Sequence, residues 1–68
     1  MLINLIPNIR KHKNLNQDQL AEKSGVAVST IRNAERNIRK ITFSNLEKIA
    51  DALDVSIKDL FMEEKTKD

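Results

Sequence analysis

Apolar residues recur at helical spacing along most of this chain and divide it into short amphipathic segments. In the longest segment, Leu46, Ile49 and Leu53 fall on one face, as expected for a helix packed on a core. Few turn or strand signals interrupt the pattern, since the 68 residues include one glycine, one proline and no tryptophan or tyrosine. The pattern therefore predicts an all-α, compact five-helix fold with helices at about 5–13, 17–24, 28–36, 43–53 and after Ser56.

Polar residues stand where several of these predicted helices begin. Asn4 and Asn16 are suitable N-caps because their side-chain oxygens can accept hydrogen bonds from otherwise unpaired N–H groups. Gln19 follows Asn16 by three residues, and Asp59 follows Ser56 by three, which is the spacing of a capping box. These caps support the starts of the first, second and fifth helices.

The chain's one glycine, Gly25, lies between the second and third predicted helices. A connection this short needs a positive φ, which glycine adopts freely and which costs a residue with a Cβ about 1–2 kcal/mol. The small Ala21 allows the two helices to cross closely, and Val26 and Ile31 fill the space between them. The arrangement predicts a helix-turn-helix unit, in which one helix is held across another so that its outer face can enter the DNA major groove.

Charge is distributed unevenly along the chain. Residues 1–40 carry eight basic and three acidic side chains, whereas residues 41–68 carry four basic and seven acidic ones. The basic part suits a polyanion such as double-stranded DNA. No cysteine is present and His12 has no second histidine at ligand spacing, so we expect no disulfide, no metal site and no cofactor.

The length predicts a single domain over residues 1–68, with a core at about 5–61 and a short C-terminal tail at 62–68. One core of this size supplies about 3–5 kcal/mol of stability, so dimerisation would help. The N-terminus has no signal-peptide pattern, and no apolar run approaches the ~20 residues of a membrane span. We therefore expect a cytoplasmic protein that does not contact membranes.

Three sequence blocks are typical of a known family: QLAEKSGV, I..AER and LEKIADALDVSIKDLF. In this order and spacing they resemble the Xre/Cro type of helix-turn-helix regulator, with its lambda-repressor-like fold, over about residues 5–61. The stretch ERNIRKIT is similar to small stand-alone members such as the controller proteins of restriction–modification systems. The resemblance implies a bacterial or phage regulator, such as a repressor, that binds a (pseudo)palindromic operator as a homodimer, with helix 28–36 as the recognition helix.

The same resemblance places the base-reading residues on the exposed start of the third helix, at Val28, Ser29, Arg32 and Asn33. Arginine suits the O6/N7 edge of guanine and asparagine the N6/N7 edge of adenine, each worth about 1–3 kcal/mol of discrimination. The family commonly has a polar residue where Val28 stands, so we expect an apolar contact with a thymine methyl there. The alternative is that these four side chains form an ordinary solvated helix face.

Phosphate contacts are expected from helix N-termini and from basic residues that flank the recognition helix, because free N–H groups and positive charge attract anions. The candidates are Asn16, Gln17, Arg36, Asn37, Arg39 and Lys40. The alternatives are that Asn16 acts as an N-cap alone and that the charged segment is merely solvated.

Two further expectations come from relatives of this type. Arg10 in the first helix is expected to form a structural ion pair with Glu35 near the end of the third. The C-terminal half is expected to supply the dimer interface through Phe43, Ile57, Phe61 and Met62. The alternative for these four apolar residues is a place in the monomer's own core.

Other function classes receive less support from the sequence. An enzyme is not expected, because the chain has no Ser–His–Asp set and no glycine-rich phosphate loop. The second candidate is an antitoxin-like or adaptor module of the same fold, whose main partner is a protein that docks on the acidic C-terminal part.

Overall fold

The computed structural model describes residues 2–64. Four α-helices and a small sheet make up the described chain, with two short 3-10 helices, Ile38–Lys40 and Ile57–Leu60, between them. In chain order the elements are β1 (Leu2–Asn4), α1 (Ile6–His12), α2 (Gln17–Ser24), α3 (Val28–Arg36), α4 (Phe43–Leu53) and β2 (Phe61–Glu63). The end of the predicted tail, 65–68, lies outside the described residues.

The prediction of five helices in an all-α fold is wrong at the C-terminal end. Asp59 Oδ2 does accept a hydrogen bond from the Ser56 N–H at 3.0 Å, but the chain completes only the 3-10 helix Ile57–Leu60 before it becomes extended at Phe61. Phe61–Glu63 then pairs antiparallel with Leu2–Asn4, so Met62 belongs to β2 instead of to a tail. Each strand has three residues whose partners lie about 60 positions away, and such pairing leaves no local pattern in the sequence.

The helix-turn-helix unit follows the predicted boundaries. Asn16 Oδ1 accepts a hydrogen bond from the Gln19 N–H at 2.7 Å, and Gln19 Oε1 accepts one from the Asn16 N–H at 2.8 Å. Gly25 ends α2 with φ +77°, and a Cβ built there would meet no atom within 4 Å. The turn therefore requires glycine for its backbone conformation and not for lack of space. Ala27 precedes α3 and makes no side-chain cap.

Buried apolar side chains from all four helices form one core. The largest fully buried side chains are Ile6, Leu20, Ile31, Ile49, Leu53 and Leu60. Burying one such side chain stabilises the fold by about 1.5–3 kcal/mol. Within α3, Ile31 and Ala34 face this core, so the opposite face of the helix is directed to solvent.

Candidate nucleic-acid interface

The outer face of α3 carries side chains with no partner of their own. Ser29, Arg32 and Asn33 are exposed, and they lie three and four residues apart, which places them on one side of the helix. None of them makes a side-chain hydrogen bond or ion pair within residues 2–64. Val28 is half-buried at the start of the helix. The face can thus offer a guanidinium, an amide and a hydroxyl to a ligand without first breaking an internal bond.

A basic surface continues from the end of α3. Asn33, Arg36, Asn37 and Lys40 line a shallow cavity of about 580 Å³ that opens to solvent. Asn37 is extended at φ −155°, and its side chain accepts a hydrogen bond from the Arg39 N–H at 3.1 Å. This cap holds the 3-10 helix that carries Arg39 and Lys40, so the cations are presented on ordered backbone.

A hydrogen-bonded network fixes α3 to the helices beside it. Arg10 donates to Glu35 through two nitrogens, from Nε to Oε2 at 2.7 Å and from Nη2 to Oε1 at 3.3 Å. Both side chains are about nine-tenths buried. Arg10 Nη1 also donates to the Leu15 carbonyl at 2.8 Å, and Gln17 Nε2 donates to Glu35 Oε1 at 3.1 Å. One carboxylate therefore links α1, the start of α2 and the end of α3.

The start of α2 is accessible, but its two candidate residues differ in setting. Asn16 is exposed and its side-chain oxygen is used by the capping box. Gln17 is half-buried, and the bond to Glu35 sets the orientation of its amide. Sequence analysis did not predict this contact between Gln17 and Glu35. The two residues lie 18 positions apart, and no local pattern links them.

The four apolar residues expected at a dimer interface divide into two pairs. Phe43 is 65% exposed at the start of α4, and Met62 is 50% exposed on β2. Ile57 and Phe61 are half-buried and pack against the core of their own chain. Of these four residues, only Phe43 and Met62 thus expose half or more of their surface to solvent.

The described residues contain neither a cluster of metal ligands nor a membrane-spanning helix. Residues 2–64 contain no group of three or more histidine, cysteine, aspartate or glutamate side chains that could hold a metal ion. No helix among these residues has the length and apolar character needed to cross a membrane.

Comparison with known proteins assigns the fold to a family. A family model described as helix-turn-helix matches residues 8–60. Control protein C.SmaI of Serratia marcescens is 41% identical over 59 residues, which cover 82% of this chain and 70% of that protein. Transcriptional regulator SinR of Bacillus subtilis is also 41% identical over 59 residues, but these are 85% of this chain and only 53% of SinR, so the chain spans about half of that relative.

Solved structures agree with the sequence comparison. The N-terminal DNA-binding domain of SinR from Bacillus subtilis superposes with a TM-score of 0.76 at 40% identity, covering 91% of this chain and 90% of that one. A crystal structure of SinR in complex with DNA gives a TM-score of 0.73 at 41% identity, covering 81% and 89%. These relatives are regulators and not enzymes. The chain belongs to the helix-turn-helix family of Xre-like, DNA-binding transcriptional regulators.

Proposed function

We propose that this protein is a sequence-specific transcriptional regulator that binds a (pseudo)palindromic operator as a homodimer, with α3 in the major groove. The observation that carries the proposal is the outer face of α3, where the side chains of Ser29, Arg32 and Asn33 have no partner among the described residues. A crystal structure of the similar protein SinR is of a complex with DNA, which supports the same kind of ligand here.

In the proposed complex, α3 reads the bases. Arg32 donates two hydrogen bonds to guanine, and Asn33 pairs with adenine through its amide. Val28, which is half-buried, contributes an apolar contact to a thymine methyl, while Ser29 bonds to either partner of a base pair. The inward-facing Ile31 and the Arg10–Glu35 pair keep the helix in place while it is read.

Phosphate contacts flank the reading face on both sides. From the end of α3 onward, ordered backbone carries the exposed residues Arg36, Asn37, Arg39 and Lys40. On the other side, the start of α2 offers Asn16, Gln17 and the unpaired N–H groups of the first helical turn. These contacts fix the protein on the duplex and make affinity fall with salt, because each neutralised phosphate releases counterions.

A homodimer matches the geometry of such an operator. Two recognition helices must lie about 34–36 Å apart to reach successive major grooves on one face of the duplex. A dimer interface would remove the exposed apolar surface of Phe43 and Met62 from water, and the half-buried Ile57 and Phe61 would complete it. Residues 1–68 would act as one DNA-binding domain, in the cytoplasm where a bacterial or phage operator is found.

Selection from a library of random duplex DNA tests this function. Several rounds of binding and sequencing are expected to enrich an inverted repeat whose half-sites are about one helical turn apart. The Arg32→Ala, Asn33→Ala double variant is the matched control, and it should lose the enrichment while it keeps weak, salt-sensitive binding. A library without any enriched sequence would contradict sequence-specific recognition and would favour the protein-partner alternative.

A further inference from the structure

Within residues 2–64, the small sheet leaves one edge of β1 without a backbone partner. Leu5 N–H donates to the Leu60 carbonyl at 2.9 Å just beyond the strands, and Ile3 faces Met62 in the register. Hydrogen-bonded pairs alternate along an antiparallel ladder, so Ile3 and Met62 form the next such pair. The N–H and C=O groups of Leu2 and Asn4 are therefore directed away from β2.

The same two residues line a cavity. A cavity of about 330 Å³ lies between β1 and the end of α3 with the segment that follows it. Leu2 and Asn4 line the β1 side. The opposite wall consists of Arg36, Asn37, Ile38 and Arg39. Within residues 2–64 neither guanidinium has a carboxylate partner. Backbone donors and acceptors, an apolar side chain and two unneutralised cations thus meet in one place.

We propose that this cavity receives an extended acidic segment of a partner protein, which adds to β1 as a third strand. An added strand supplies both N–H and C=O groups, as the outward groups of Leu2 and Asn4 require. Side chains alternate between the two faces of a strand, so every second residue of the segment faces the cavity, where its carboxylate pairs with Arg36 or Arg39. A nucleic acid fits less well, because phosphate oxygens only accept hydrogen bonds and would face the carbonyl groups of the strand edge.

Occupation of this site has a consequence for DNA, which rests on the function proposed above. Arg36 lines both this cavity and the larger one that it shares with Asn33 beside the reading face. A peptide carboxylate and a DNA phosphate therefore compete for Arg36, and also for Arg39, which is a proposed phosphate contact as well. The acidic segment would act as an antagonist of operator binding.

The test uses the full chain and a synthetic probe. A blocked peptide Glu-Val-Glu-Val-Glu-Val is titrated into ¹⁵N-labelled protein in the absence of DNA. The expected result is saturable chemical-shift change at the amides of residues 2–4 and 36–39. The matched control peptide, Glu-Pro-Glu-Pro-Glu-Pro, has the same charge but lacks every second N–H, and it should bind about tenfold more weakly or worse. Equal binding by both peptides would reduce the effect to charge attraction and overturn the proposal.

Protein variants provide the second arm. Arg39→Glu should weaken the valine peptide about tenfold or more, because it replaces an attractive charge by a repulsive one. Lys48→Glu reverses an exposed cation of α4 that does not line the cavity, and it should have little effect. Leu2→Pro removes an outward N–H and should also weaken binding, with a thermal melt to show that the fold persists. Equal losses in Arg39→Glu and Lys48→Glu would overturn the proposal.

A duplex titration separates this proposal from the function that precedes it. If an operator fragment shifts the amides of residues 2–4 and the peptide does not, the cavity belongs to the DNA interface and the peptide site is refuted. If the peptide binds as expected while no duplex does, the peptide site stands and the proposed regulator function fails. If both bind, the peptide is expected to lower operator affinity, and independent binding would refute the competition for Arg36.

Discussion

Asn4 of β1 donates a hydrogen bond from Nδ2 to the carbonyl oxygen of Ala34 in the last turn of α3, over 2.6 Å. The oxygen of the same amide accepts the Ile6 N–H at 3.0 Å. Groups at both helix ends lack partners within their helices, so this one side chain satisfies a donor at the start of α1 and an acceptor at the end of α3. The strand is thereby attached to the last turn of α3.

Replacing Asn4 should weaken the fold. Asn4→Ala removes both hydrogen bonds and leaves the Ala34 carbonyl without this donor, so we expect a loss of about 1–3 kcal/mol in the free energy of unfolding. Urea denaturation followed by circular dichroism measures the loss. Asn8→Ala is the control, because Asn8 is exposed on α1 and should change stability by no more than about 0.5 kcal/mol. Equal stability of the two variants would mean that the Asn4 bonds contribute nothing.

Removing Glu35 should be more damaging. Glu35→Ala leaves the buried guanidinium of Arg10 without its carboxylate and the amide of Gln17 without its acceptor. Loss of one partner from a buried pair costs about 3–5 kcal/mol, which approaches the whole stability expected of a domain this small. The measurement is a thermal or urea unfolding curve.

Two further variants interpret the Glu35 result. Glu47→Ala removes an exposed carboxylate from α4 and should be close to neutral. Replacing Arg10 by Met and Glu35 by Leu together should recover most of the stability, because no buried charge is left unpaired. A double variant as unstable as Glu35→Ala would show that the loss does not arise from the stranded charge.

Gly25 provides a test of backbone conformation alone. Gly25→Ala should destabilise by about 1–2 kcal/mol, because alanine must adopt φ +77° although its Cβ would meet no atom within 4 Å. Gly25→Asn should cost less, since asparagine enters the left-handed region more readily. The measurement is the free energy of unfolding of the parent protein and of both variants. If Gly25→Asn lost as much stability as Gly25→Ala, the cause would not be the positive φ.

Ala27 offers a route to higher stability. It stands at the N-cap of α3 with ψ 142° and makes no side-chain cap. Ala27→Ser should stabilise the protein by about 1 kcal/mol, because the hydroxyl oxygen can accept a hydrogen bond from one of the unpaired N–H groups of the first turn. Ala27→Val has no acceptor and should bring no gain. A melting temperature raised equally by both would exclude capping as the reason.

The proposed interface predicts two kinds of loss on DNA. Arg32→Ala and Asn33→Ala should each relax preference at one operator position by about 1–3 kcal/mol. Lys40→Ala should instead weaken all sequences similarly and reduce the salt dependence of binding. Competition assays on operators with single substitutions, repeated at several salt concentrations, distinguish these outcomes. A uniform loss in all three variants would mean that the reading face lies elsewhere.

The central part of this molecule is readable from sequence because its determinants are local. Asn16 and Gln19 lie three residues apart and cap α2, while Gly25 supplies the positive φ that ends it. The apolar periodicity of α4 selects the face that carries Ile49 and Leu53 into the core. Where caps, turn residue and periodicity agree, the boundaries of α2, α3 and α4 match the prediction.

The strands β1 and β2 were not predicted, because each depends on a partner that is distant in sequence. Leu2–Asn4 is extended only because Phe61–Glu63 lies beside it, and three residues are too few for an alternating pattern to be recognised. Likewise, the bond from Gln17 to Glu35 requires the crossing of α2 and α3 to bring them together. The roles of Arg32, Asn33 and Lys40 on DNA came from the family resemblance and stay predictions.

The pairing of β1 with β2 also sets an order of assembly. Closing a loop of about 60 residues carries an entropy cost that three-residue strands recover only after the helices have drawn those segments together. The strands should therefore form last in folding and open first in the native state, with fast amide exchange at Ile3 and Met62. Because Asn4 belongs to that late-forming unit, its bond to the Ala34 carbonyl can open while the Arg10–Glu35 pair and the core around Ile31 and Leu53 stay closed. The end of α3 is thus held by two sets of contacts that should open at different rates, and the contact with the sheet should open first.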